Sequence, residues 1–148
     1  MKNLFHQEAA QEILQRIEKL TPESQALWGK MDVAQMLTHC GQVTKVPLQK
    51  ITLAKPPFAF RMVFKLFKSV LYNDKPWKQG IPTAREFVIS NPQDFSKAKN
   101  ELVSLIEEFR TLEGKSMPKH PTGITLTPEQ WGKAQYKHLD HHLRQFGC

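Results

Sequence analysis

The sequence predicts an all-α protein: four amphipathic helices form the frame, and a long basic connection crosses between the second and the third. Three observations predict it. Apolar residues recur at intervals of three and four in four segments. Capping and breaking residues punctuate those segments. Strand patterning is nearly absent, with Glu-Phe-Val-Ile-Ser at 86–90 the only short candidate.

The first helix is expected over residues 5–20. Ala9, Ala10, Ile13, Leu14, Ile17 and Leu20 fall at helix spacing, and Thr21-Pro22 breaks the pattern. The second begins near Asp32, where Asp32 and Gln35 have the spacing of a reciprocal cap. It continues through Met36, Leu37, His39, Cys40 and Val43, and Pro47 closes it. The third is expected over 92–112. Phe95, Ala98, Leu102, Leu105, Phe109 and Leu112 mark a bundle seam, and Asn91-Pro92 and Gly114 supply a start and a stop. The fourth is expected over 128–146. Thr127, Pro128 and Gln130 suit a capped N-terminus, and Gly147 ends it.

Between the second and third helices lies a connection, residues 47–90, rich in Pro, Lys and aromatics. Within it, residues 58–72 read as a short amphipathic helix. Arg61, Lys65, Lys68, Ser69 and Tyr72 share one side; Phe60, Val63, Phe64, Phe67, Val70 and Leu71 share the other. Docking on the bundle is the ordinary use of such a helix. A homodimer contact, a lid over a site and contact with a membrane surface are the alternatives.

At 148 residues the chain suits a single domain, 1–148, able to bury a core without staples. Its net charge of +7 is concentrated. Residues 45–78 carry eight basic side chains against one acid, Asp74, which accounts for the whole excess. No nucleic-acid motif accompanies that charge, so no nucleic-acid partner is expected. There is no apolar run of membrane-spanning length and no signal-like start, so a cytoplasmic protein without stable membrane insertion is expected. Cys40 and Cys148 form neither a disulfide framework nor a metal knuckle. The absence of a Gly-rich phosphate loop and of a Gly-x-Ser-x-Gly turn disfavours nucleotide-binding and serine-hydrolase folds.

The chemistry concentrates at the C-terminal helix. His138, His141 and His142 lie there within five positions. At about 100° per residue, Lys133, Lys137, Asp140 and Arg144 form a charged outward stripe. Trp131, Ala134, Gln135, His138, His142 and Gln145 fall opposite, and His141 lies at the edge towards the charges. His138 and His142 are thus an i,i+4 pair on the inward face, able to grip one transition-metal ion. His39 lies on the inward stripe of the second helix, either as a hydrogen-bonded core residue or as a third ligand.

Trp28-Gly-Lys-Met31, Gln35-Met-Leu-Thr-His-Cys40, Pro82-Thr-Ala84, Leu126-Thr-Pro-Glu-Gln-Trp131 and Tyr136-Lys-His-Leu-Asp-His-His-Leu-Arg-Gln-Phe146 resemble the DinB/YfiT-like superfamily, in an uncharacterised branch of it. The resemblance implies an antiparallel four-helix bundle with a long crossover and a divalent metal held by His39, His138 and His142. It implies a metalloenzyme of the thiol S-transferase or hydrolase kind. The alternatives are a non-catalytic metal- or ligand-binding stress-response module, and a peripheral partner-binding protein that uses the 58–72 amphipathic helix.

The expected ion is Zn²⁺ by default, with Ni, Fe or Mn as alternatives, since imidazole suits several metals. The expected partner is a small-molecule substrate, such as an anionic low-molecular-weight thiol drawn in by the basic segment. His120, before the Pro-Thr-Gly turn, is a candidate proton carrier or fourth ligand, and Gln35, Gln135 and Gln145 are candidates to orient ligands or substrate. No Asp or Glu lies on the inward face of the histidine helix, so no general base is identified.

Overall fold

A computed structural model describes residues 1–148. The protein is all-helical, with five α-helices and no strand: α1 (Gln7–Glu18), α2 (Val33–Lys45), α3 (Phe58–Leu66), α4 (Phe95–Arg110) and α5 (Pro128–Gln145). Short 3-10 turns cover Lys68–Leu71 and Arg85–Phe87. The second of these occupies the start of 86–90, so the one strand candidate is a turn followed by extended chain. No neighbouring strand is there to pair with it.

Three helix starts are fixed by side chains. Asp32 and Gln35 form a capping box at α2, and Thr127 and Gln130 form another at α5, where Pro128 occupies the first turn. α4 starts at Phe95 rather than at Asn91-Pro92, because the Asp94 side chain accepts from the Lys97 amide and caps the helix there.

α1, α2, α4 and α5 enclose the core. α2 packs chiefly on α4 and α1 on α5, while α2–α5 and α1–α4 contacts close the ring. Ile13, Ile17, Met36, Leu37, Leu102, Ile106, Phe109, Leu139 and Leu143 are buried where these helices meet. The chain before α1 is tied in as well. Leu4 donates its amide to the Gly132 carbonyl, and Asn3 is buried against Gly132, where a Cβ would lie 1.9 Å from Asn3 Oδ1. Glycine is needed at 132 for that close approach.

α3 contributes no buried residue. Phe58, Met62 and Leu66 face outward, and Leu66 is 80% exposed. Phe64 alone on this helix packs against the core's edge. No helix is long and apolar enough to cross a membrane.

The charged stripe expected on α5 is only partly a solvent face. Lys133 pairs with Glu129 on the same helix. Asp140 pairs with Arg16 of α1 at 2.8 Å and with Arg144 at 3.2 Å. Lys137 does not face solvent as the charged stripe predicts: it is 3% exposed. Its ammonium donates to the Val70 carbonyl (2.8 Å), the Asn73 carbonyl (3.0 Å) and Asn73 Oδ1 (2.7 Å), and it lies 5.5 Å from the Trp77 ring centroid. The crossover folds over α5 here and supplies the oxygens a buried ammonium requires. Burial lowers the Lys137 pKa.

Candidate metal centre

His39 from the middle of α2 and His138 and His142 from one face of α5 converge. One ring nitrogen from each lies within 4.8 Å of the others, so the three could hold a metal ion. His39 and His138 are buried, and His142 is partly open.

Two of the three rings are fixed in a definite tautomer. His39 Nδ1 donates to the Phe87 carbonyl at 2.8 Å, because a carbonyl can only accept. His142 Nδ1 lies 2.9 Å from Gln145 Oε1, and the other end of that amide, Nε2, donates to the Trp28 carbonyl at 2.7 Å. The Gln145 oxygen therefore accepts from His142. In the neutral forms, both rings turn a bare Nε2 lone pair inward.

His138 Nε2 stands 3.1 Å from His39 Nε2, and His138 Nδ1 is buried without a partner. Two nitrogens on one tetrahedral Zn²⁺ are about 3.3 Å apart, from bonds of about 2.0–2.1 Å. The 3.1 Å separation is that of a hydrogen bond from His138 Nε2–H to the bare His39 Nε2 and is also close to what a shared ion requires, while His138 Nδ1 is left as an acceptor without a partner.

The electrostatics keep the rings neutral, the form that binds metal. Burial lowers all three pKa values. His142 falls to about 3, with the His39 ring adding to the effect and Gln145 opposing it. His138 falls well below the ordinary value, helped by its His142 and His39 neighbours. Burial lowers His39 as well, and its bond to the Phe87 carbonyl opposes that.

His141 does not join the cluster. It is half-buried between Trp28 and Trp77, at centroid distances of 6.0 and 5.7 Å, in a polar cleft with Asp140 and Arg144.

The other expected site residues separate. Gln145 holds His142 in orientation. Gln35 is occupied in the α2 cap and reaches the Asn91 carbonyl, so it serves the helix start instead of the cluster. Gln135 is buried beside Thr44 and faces a cavity next to the histidines. His120 is not among the converging histidines. It stands on the wall of that same cavity, stacked on Phe64 at 6.0 Å and tilted against Trp131 at 5.5 Å.

The cavity has a volume of about 500 Å³ and is walled mainly by apolar side chains from α2, the crossover and α5. His138 and Phe87 belong both to it and to the histidine cluster's surroundings. The crossover thus supplies functional groups that helix periodicity does not reveal: the Phe87 carbonyl behind His39 and the Trp77 ring, 6.1 Å from His138. None of the basic side chains of 45–78 lines the cavity. Lys45 pairs with Glu101, Lys50 pairs with Glu108, and Arg61 donates to the Thr122 carbonyl.

Fold and site define an all-helical protein with a largely buried three-histidine cluster at the edge of an apolar cavity. Over residues 2–147 the chain matches a family described as "Protein of unknown function (DUF1569)", and it belongs to that family. No curated protein and no solved structure matches it.

Proposed function

We propose that the protein is a divalent-metal-dependent enzyme whose ion is held by His39, His138 and His142 on an antiparallel four-helix bundle of the DinB/YfiT type. The observation that carries this is the convergence of three neutral imidazoles, two of them locked so that Nε2 faces inward. Zn²⁺ is the default ion, and Ni, Fe or Mn fit the same donors. Bound by these three rings, such an ion would supply Lewis-acid chemistry and would lower the pKa of a water or thiol towards neutrality.

The chain's own residues do the positioning. The Phe87 carbonyl and Gln145 fix the rings, and the apolar cavity beside His138 receives a substrate. Hydrolysis and thiol transfer are the reaction types that the resemblance to the DinB/YfiT-like superfamily suggests; the cluster itself brings no carboxylate to act as a general base. Metal-loaded and chelated protein should be compared on uncharged aryl esters and on thiol-plus-electrophile pairs. Turnover of either class that disappears on chelation and returns with the ion supports the proposal. Stoichiometric metal with no metal-dependent turnover of either class favours a metal-binding module without chemistry.

A second reading rests on α3. Its outward Phe58, Met62 and Leu66, with Lys55, Lys65 and Lys75 also exposed and no acid between residues 45 and 73, match an anionic membrane surface. Co-sedimentation with phosphatidylserine vesicles, lost in Leu66→Asp and absent with neutral vesicles, is the expected result. Equal recovery with both vesicle types would contradict it.

A further inference from the structure

We infer that the cavity beside the histidine cluster binds an uncharged, largely apolar carbonyl compound, whose oxygen accepts a hydrogen bond from His120 Nε2–H. The volume, about 500 Å³, lies within the range of small-molecule sites. Val43, Val46, Leu53, Phe60, Leu71 and Trp77 provide apolar wall. Glu86 is the only charged residue on it, although the chain has an excess of basic residues. An anionic ligand would meet no cation there. The cavity therefore disfavours the anionic low-molecular-weight thiol that the basic segment suggests.

His120 sets the polar requirement. The Thr122 amide donates to His120 Nδ1 at 3.3 Å, and the Thr122 hydroxyl lies 2.8 Å from the same nitrogen. Nδ1 is thus an acceptor, and the proton of the neutral ring sits on Nε2. No protein group accepts that proton. Burial between Phe64 and Trp131 lowers the His120 pKa to about 4, so near neutral pH the ring is an uncharged donor. A neutral donor on an apolar wall complements a neutral acceptor, and a carbonyl oxygen is the simplest one. Gln135, on the same wall, has one end of its amide engaged with Thr44 and the other free of protein partners.

This deepens the proposed function by naming a substrate class. It rests on the metal reading only for what would follow binding, since the binding groups are the chain's own.

The test is calorimetric titration of the full chain, metal-loaded and metal-free, with hexanophenone, hexylbenzene and the anion of phenylhexanoic acid. The ketone should bind about 3- to 10-fold more tightly than the hydrocarbon, the worth of one hydrogen bond. The anion should bind more weakly than the ketone. His120→Phe should abolish the preference for ketone over hydrocarbon, and His120→Gln, which keeps a donor, should restore part of it. Tighter binding of the anion, or equal binding of ketone and hydrocarbon by the unaltered protein, would overturn the inference without any variant having to fold. Loss of metal binding with the ketone preference intact would count against the metal centre alone.

Discussion

Phe109 on α4 is fully buried and stacks on Phe5 at 4.6 Å, whereas Phe58 on α3 is 74% exposed. Both sit on amphipathic helices. They differ in what faces them: α4 lies against α2 and α1, while no frame helix covers the outer side of α3. Amphipathic patterning states that a face needs cover; only tertiary packing decides whether it gets any. The frame carries stability and holds the three histidines. The crossover contributes a carbonyl behind His39, an aromatic edge beside His138 and much of the cavity wall. Function is expected where the two regions meet.

The largest effect is expected in the core of the frame. Phe109→Ala should destabilise the fold by about 3–5 kcal/mol, the usual cost of emptying a fully buried aromatic site. Denaturant unfolding measures this, and a loss below about 1 kcal/mol would show that the frame is not the stable part.

Acid should act next, through the buried histidines. Their ordinary pKa is 6.5, and burial lowers His120 to about 4 and His142 to about 3. The unfolded chain therefore takes up protons that the folded one refuses. The stability these groups contribute is fully present above pH 6.5 and is lost as pH falls through that window towards 4 and 3. Denaturant midpoints of metal-free protein should decline steadily below pH 6.5; a flat profile down to pH 4 would contradict the buried, neutral assignment.

A smaller effect sharpens the site itself. Gln145→Leu removes the acceptor that orients His142, and should weaken metal binding by about 10- to 100-fold. Competition with a chelator reads the change, and unaltered affinity would leave Gln145 as a clamp on Trp28 only. The smallest effect belongs to the crossover: Leu66→Ala should shift stability by no more than about 0.5 kcal/mol. A larger loss would mean that α3's outer face is covered in solution.

Much of the frame is legible in the sequence, because capping chemistry and apolar spacing are local. The boxes at Asp32 and Thr127 and the seam through Leu102, Leu105 and Phe109 lie where spacing puts them. The convergence of His39 with His138 and His142 follows from stripes on two helices that the fold brings alongside. What the sequence hides depends on the crossover. A helical wheel turns Lys137 outward, yet the oxygens of Val70 and Asn73 arrive from remote chain and bury it. The Phe87 carbonyl is invisible to any side-chain pattern. Gln35 shows the converse: its spacing to Asp32 predicts the cap, and the cap is where it is used.

The most direct test of the three-histidine centre is a metal titration comparing His142→Ala with its chain neighbour His141→Ala, alongside His39→Ala. Both α5 histidines are close to His138 in sequence, but only His142 turns a nitrogen into the cluster, while His141 lies between Trp28 and Trp77. Zn²⁺ should bind one per chain in the unaltered protein and in His141→Ala, and should bind at least about 100-fold more weakly in His142→Ala and His39→Ala. If His141→Ala loses the metal while His142→Ala keeps it, the assignment is wrong.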